Sequence, residues 1–90
     1  MANSVIQKAL KKVSVSVQCP ASGWVQVSLP SDITVDKISQ VVKTNSTSNY
    51  AGIMWWKANT ILWIVRFNTS GTNIYVHNTA DTTYLDIFYE

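Results

Sequence analysis

From Lys12 to Cys19 the chain reads KVSVSVQC, a strict alternation that sets Val13, Val15, Val17 and Cys19 on one face and Ser14, Ser16 and Gln18 on the other. That period of two is the mark of a half-buried β-strand. Pro20-Ala21-Ser22-Gly23 turns the chain, and WVQVSL repeats the pattern with Val25, Val27 and Leu29 opposed to Trp24, Gln26 and Ser28. Pro30-Ser31-Asp32 is a second turn. Ile33 to Val42 is β-rich but broken at Asp36-Lys37, which predicts a short connection and then a strand ending at Val42. Thr44 to Asn49 (TNSTSN) is wholly polar and predicts a loop, as does Asn68 to Thr72, where Gly71 is available for a positive φ. Asn73 to His77 predicts a strand with Ile74 and Val76 on one face and Tyr75 and His77 on the other. Thr79 to Thr82 then reverses the chain into YLDIFYE, with Leu85, Ile87 and Tyr89 on one face and Tyr84, Asp86 and Phe88 on the other. At the start, Ile6, Ala9, Leu10 and Val13 fall at helical spacing, so residues 5–13 read either as a short helical stub or as an early beginning of the first strand.

Between the two polar loops, Gly52 to Phe67 (GIMWWKANTILWIVRF) holds three of the four tryptophans and one polar interruption, Lys57 to Thr60, which predicts a β-hairpin. An even loop, either Ala58-Asn59 or Lys57 to Thr60, sets Trp56 opposite Ile61, Met54 opposite Trp63 and Tyr50 opposite Phe67, with Trp55 opposite Leu62 and Ile53 opposite Ile64 on the reverse. Both faces are apolar, and a three-residue loop would leave them so. A half-solvated sheet alternates polar with apolar, so one face of this hairpin needs cover beyond the chain's own core. The reverse face, Ile53, Trp55, Leu62 and Ile64, is the expected oligomer interface, while Trp56 and Trp63 are expected as packing residues. Turn signals every eight to twelve residues and about seven to eight short strands predict an all-β antiparallel sandwich over residues 13–90, with residues 1–12 as an arm or stalk junction.

Composition sharpens this picture. Ninety residues allow one core, since a chain of this size buries about 60–65% of its unfolded surface. Charged residues are 13% and hydrophobic residues 47%, which excludes disorder and favours contact with other protein surface. A net charge of +2 without a basic stripe argues against nucleic acid. The apolar runs are shorter than a membrane span, and MANSVIQKALKK lacks the apolar core of a secretory signal. Cys19 stands alone, so neither an intrachain disulfide nor a cysteine-rich metal site is expected.

The chemistry on offer is thin: one histidine, one cysteine, four aspartates and one glutamate. His77 with Asp81 or Asp86 could be drawn as an acid/base pair, but His77 reads as an ordinary surface residue of its strand, and no enzyme, cofactor or metal is expected. Aromatic rings beside Asn, Ser, Thr and Asp suit sugar rings and hydroxyls, which makes Trp24, Tyr50, Trp55, Tyr75 and Tyr84 candidates for carbohydrate contact.

The alternating KVSVSVQ, the loops TNSTSN and NTSGTN, and the final pair NIYVHNTADTTYLDIFYE together resemble the small β-sandwich domains of bacteriophage tail-fibre tips and virion surface appendages, some of them similar in style to H-type lectins. The resemblance covers most of the chain and contains no diagnostic motif. It implies a non-enzymatic, homotrimeric virion protein that contacts other virion proteins and host-surface carbohydrate. Capsid decoration and a free-standing lectin, cytoplasmic or secreted, are the alternatives. Such tips bind through loops, here Asn45–Tyr50, Asn68–Asn73 and Asn78–Asp81, so the expected ligand residues are Tyr50, Asn68, Asn73, Asn78 and Asp81, with Trp55 added from the aromatic candidates.

Overall fold

The computed structural model describes residues 9–44 and 50–90 and shows an all-β antiparallel sandwich of seven strands. They are β1 (Lys11–Cys19), β2 (Val25–Val27), β3 (Ile38–Lys43), β4 (Gly52–Ala58), β5 (Ile61–Ser70), β6 (Asn73–Val76) and β7 (Asp81–Tyr89), with a 3-10 turn at Val35–Lys37 before β3. One sheet has the order β1-β7-β3, hereafter the first sheet. In the second, β5 is central: β4 pairs along one side, while β2 and then β6 pair along its length. Of the ambiguous stretch 5–13, residues Lys11–Val13 belong to β1, and residues 5–8 lie outside the described residues.

The core follows from alternation. Val17 and Cys19 of β1, Leu85 and Ile87 of β7, and Ile38 and Val41 of β3 meet Val27, Leu62 and Ile64 from the second sheet, with Ile33 and Val35 of the connecting segment closing one side. Ile38 and Val41 are three apart, which simple alternation would put on opposite faces. An extra residue at Ser39 shifts the register with β7 between Ile38 and Gln40 and returns Val41 to the inside. On the outward face of the first sheet, register partners are polar: Ser14 donates to Asp86 at 2.6 Å, Thr82 donates to Gln18 at 2.9 Å, and Lys12 lies 3.9 Å from Asp86.

The hairpin closes on Asn59-Thr60, with Asn59 in the left-handed region (φ 57°) that Asn tolerates better than most residues. Ala58 therefore faces Ile61, Trp56 faces Trp63 and Trp55 faces Ile64. This is two residues from the expected register, and because a shift of two preserves the faces, the expected face membership stands. The assignment of faces to roles does not. Ile53, Trp55, Leu62 and Ile64 point inward, Leu62 and Ile64 being wholly buried and Ile53 and Trp55 packed on the core. They cannot be the subunit interface, and the face left uncovered is the one with Met54, Trp56 and Trp63.

Candidate functional site

Arg66 continues the inward parity of Leu62 and Ile64 and brings a guanidinium to the end of the core, 1% exposed. A buried cation demands partners. Nη1 donates to the Thr79 carbonyl at 2.6 Å and to Asp81 Oδ1 at 2.9 Å, and Nη2 donates to the Pro20 carbonyl. One side chain thus ties the turn after β1, the β6–β7 connection and the start of β7.

His77, next along from β6, is also inside, 3% exposed, where the sequence suggested a surface residue. The reason is register: its N–H donates to the Arg66 carbonyl at 3.0 Å, so it continues the β6 ladder on the inward face of β5. Asn68 Nδ2 donates to His77 Nδ1 at 2.8 Å, while Nε2 has no hydrogen-bond partner among the described residues and sits 4.0 Å from Asp81 Oδ2. Tyr50, expected as an exposed ring for stacking, is buried as well. Its hydroxyl shares a 2.8 Å hydrogen bond with Thr83, its ring centroid lies 5.0 Å from His77, and Arg66 Cζ is 5.7 Å above it. The Cys19 thiol reaches Thr83 Oγ1 at 3.5 Å.

Of the expected ligand residues, Tyr50, Asn68 and Asp81 therefore do come together, but around His77 and Arg66 as internal support. Asn73 stands exposed beside the Gly71-Thr72 turn, Asn78 is exposed after His77, and Trp55 packs on the core. Residues 45–49 of the first loop lie outside the described residues. Arg66, His77 and Thr83 were not anticipated as a cluster. The available signal was parity, which places Arg66 on the same face as Ile64.

The outward face of the second sheet is different in character. Gln26, Trp63 and Trp56 form one row across β2, β5 and β4, and Met54 and Val65 form part of the next. Trp56 and Trp63 stack at 6.1 Å, and Trp24, just before β2, contacts Trp56 edge-on although the two flank β5 from opposite sides. The indoles therefore close over β5, which explains why outward-facing Val65 is only 2% exposed. Phe67 extends the face, its ring lying against Gly52, where a Cβ would sit 3.1 Å from Phe67 Cζ. Trp24, Met54, Trp56, Ile74 and Val76 remain between 37% and 67% exposed. Tyr75 and Tyr84 are exposed elsewhere.

The surface of the described residues also carries hollows. One of about 300 Å³ lies by Ser14, Ser16, Thr44 and Tyr84. The larger, about 700 Å³, opens at the hairpin tip between Ser28–Ser31 and Asn59–Ile61, with Ile33 to Asp36 along its length. Asp36 at its rim is held below its ordinary value of 3.8, first by a side-chain hydrogen bond with Thr34 and further by Lys37 and Lys57. Among the described residues no helix is long and apolar enough to cross a membrane, and no three of His, Cys, Asp and Glu gather into a metal-binding set. Comparison with known protein families, curated proteins and solved structures finds no match.

Proposed function

We propose that the chain is a non-enzymatic structural and binding module that assembles with copies of itself through the tryptophan face of the second sheet. The observation that carries this is the exposure of Trp24, Met54, Trp56, Ile74 and Val76 on that face. At about 200 Å² for a large side chain they present about 500 Å² of bare apolar surface, in the upper range for a monomer's largest patch and most of the roughly 800 Å² per partner of a standard interface. The buried groups support a non-catalytic reading, because Arg66 and Asp81 are bound to one another, Arg66 also holds the backbone that joins the sheets, and His77 Nδ1 is taken by Asn68.

The virion setting rests on the sequence style alone: a phage surface appendage such as a tail-fibre tip, assembled as a homotrimer, with exposed Asn73 and Asn78 facing host carbohydrate. The test is light scattering at micromolar concentration on the native protein and on a Met54→Lys, Ile74→Lys double variant. A multiple of 10.1 kDa that falls to a folded monomer in the variant is the expected result. A native monomer, or an oligomer the variant leaves intact, overturns the assignment.

A further inference from the structure

The β2 ladder registers three pairs and stops at Val27–Leu62. Beyond that point the chain runs on as Ser28–Ser31, no longer paired with β5, while Ile61 and the Asn59-Thr60 turn stay behind. The larger hollow is the opening between these diverging segments, and its 700 Å³ falls within the range of ligand sites. Its lining is layered by chemistry. Buried Val27, Ile33 and Val35 contribute apolar groups at depth, and Ser28, Asn59 and Thr60 bring hydroxyls and an amide. Asp36 contributes the lining's one carboxylate.

No aromatic residue lines the hollow, so a sugar ring or a nucleobase would find nothing to stack on. An extended peptide fits better: it continues the course that β2 abandons and alternates its side chains between floor and rim. We propose that this cleft binds an extended peptide segment of another protein, with an apolar side chain on the Val27–Ile33–Val35 floor and a basic side chain at Asp36. Asp36, exposed at the rim, is anionic at neutral pH as any ordinary carboxylate is. Neighbouring Lys37 and Lys57 limit the attraction, so the charge acts as a selector between peptides and the apolar floor as the anchor. This site is separate from the tryptophan face and stands or falls independently of self-assembly.

The experiment is a fluorescence-anisotropy titration with labelled hexapeptides of alternating Thr and Leu in which one position is Arg or Glu, run beside maltohexaose and chitohexaose as competitors. Saturable binding of the Arg peptide is expected, about three- to fivefold tighter than the Glu peptide, the size of one exposed ion pair, and narrowing with added salt. Asp36→Lys, at an exposed position, should invert the preference while leaving the circular dichroism unchanged, and amide shift changes should map to residues 26–36 and 59–61. Binding of neither peptide, a preference that Asp36→Lys leaves unaltered, or displacement by either oligosaccharide overturns the proposal.

Discussion

Replacing Arg66 by Met tests the load carried at the end of the core. The substitution keeps an unbranched chain of similar length but removes the guanidinium, stranding the carbonyls of Pro20 and Thr79 and one oxygen of Asp81. Each unsatisfied buried polar group costs about 1–3 kcal/mol, and breaking a buried ion pair from one side costs about 3–5 kcal/mol. The Asp81 side chain is 30% exposed, and Pro20 and Thr79 are exposed residues whose carbonyls also regain water, so the lower end applies, about 3 kcal/mol. With a urea m-value between about 1 and 3 kcal/mol/M for a small domain, the midpoint should fall by about 2 M at fixed protein concentration, followed by tryptophan fluorescence. Adding Asp81→Asn to Arg66→Met should restore about 1 kcal/mol, because a neutral amide is cheaper to leave without its cation. A midpoint for Arg66→Met within about 0.3 M of the native protein, or strictly additive losses in the double variant, would refute the reasoning.

Three other outcomes are expected. His77→Ala should cost about 2 kcal/mol by thermal or urea unfolding, because the ring is buried and its loss frees Asn68; a change below about 0.5 kcal/mol would return His77 to the surface. Gly52→Val should cost about 1–3 kcal/mol, since its side chain must displace the Phe67 ring, whereas an unchanged melting temperature would mean that the ring swings away freely. A carboxyl titration followed by NMR should place the Asp36 midpoint below 3.8, with Thr34→Val raising it. Because the folded value is the lower one, the associated stability is present above the unfolded value and is lost only as pH falls through the folded value. A midpoint at or above 3.8 contradicts the Thr34 bond.

Strand facing was legible because alternation is a local property: Val13 to Cys19, Val25 to Leu29 and Leu85 to Tyr89 all turned the expected side inward, whereas the polar run Asn68 to Ser70, expected as loop, extends β5 because β6 pairs with it. Asp36-Lys37 marked the turn before β3 for the same local reason. The hairpin's sidedness was not legible. Both its faces are apolar, so the choice of inner face depended on where the first sheet lay, and that is set by contacts distant in sequence. His77 escaped for a related reason. Its polarity argued for solvent, yet β6 is short and exposed while the residue after it falls under Tyr50 and beside Asn68, neighbours that only the folded chain supplies. Composition alone points to the loops for ligand contact, and composition does not distinguish an Asp81 open to a ligand from one held by Arg66.

The strand order of the first sheet has a consequence for how the protein is made. β7, last in the chain, is the middle strand, and β1 and β3 each pair with it and not with one another. Contacts such as Ser14 with Asp86 join residues 72 apart. As the chain leaves the ribosome, β4, β5 and β6 can pair through short turns, but β1 and β3 must wait for β7, and loop closure of that span makes the step slow. Until it occurs, the inner face of the second sheet has no lid, and Leu62 and Ile64 are as bare as the tryptophans on the other side. The nascent chain therefore passes through a stage with two adhesive surfaces, at which chaperone capture or premature clumping competes with folding.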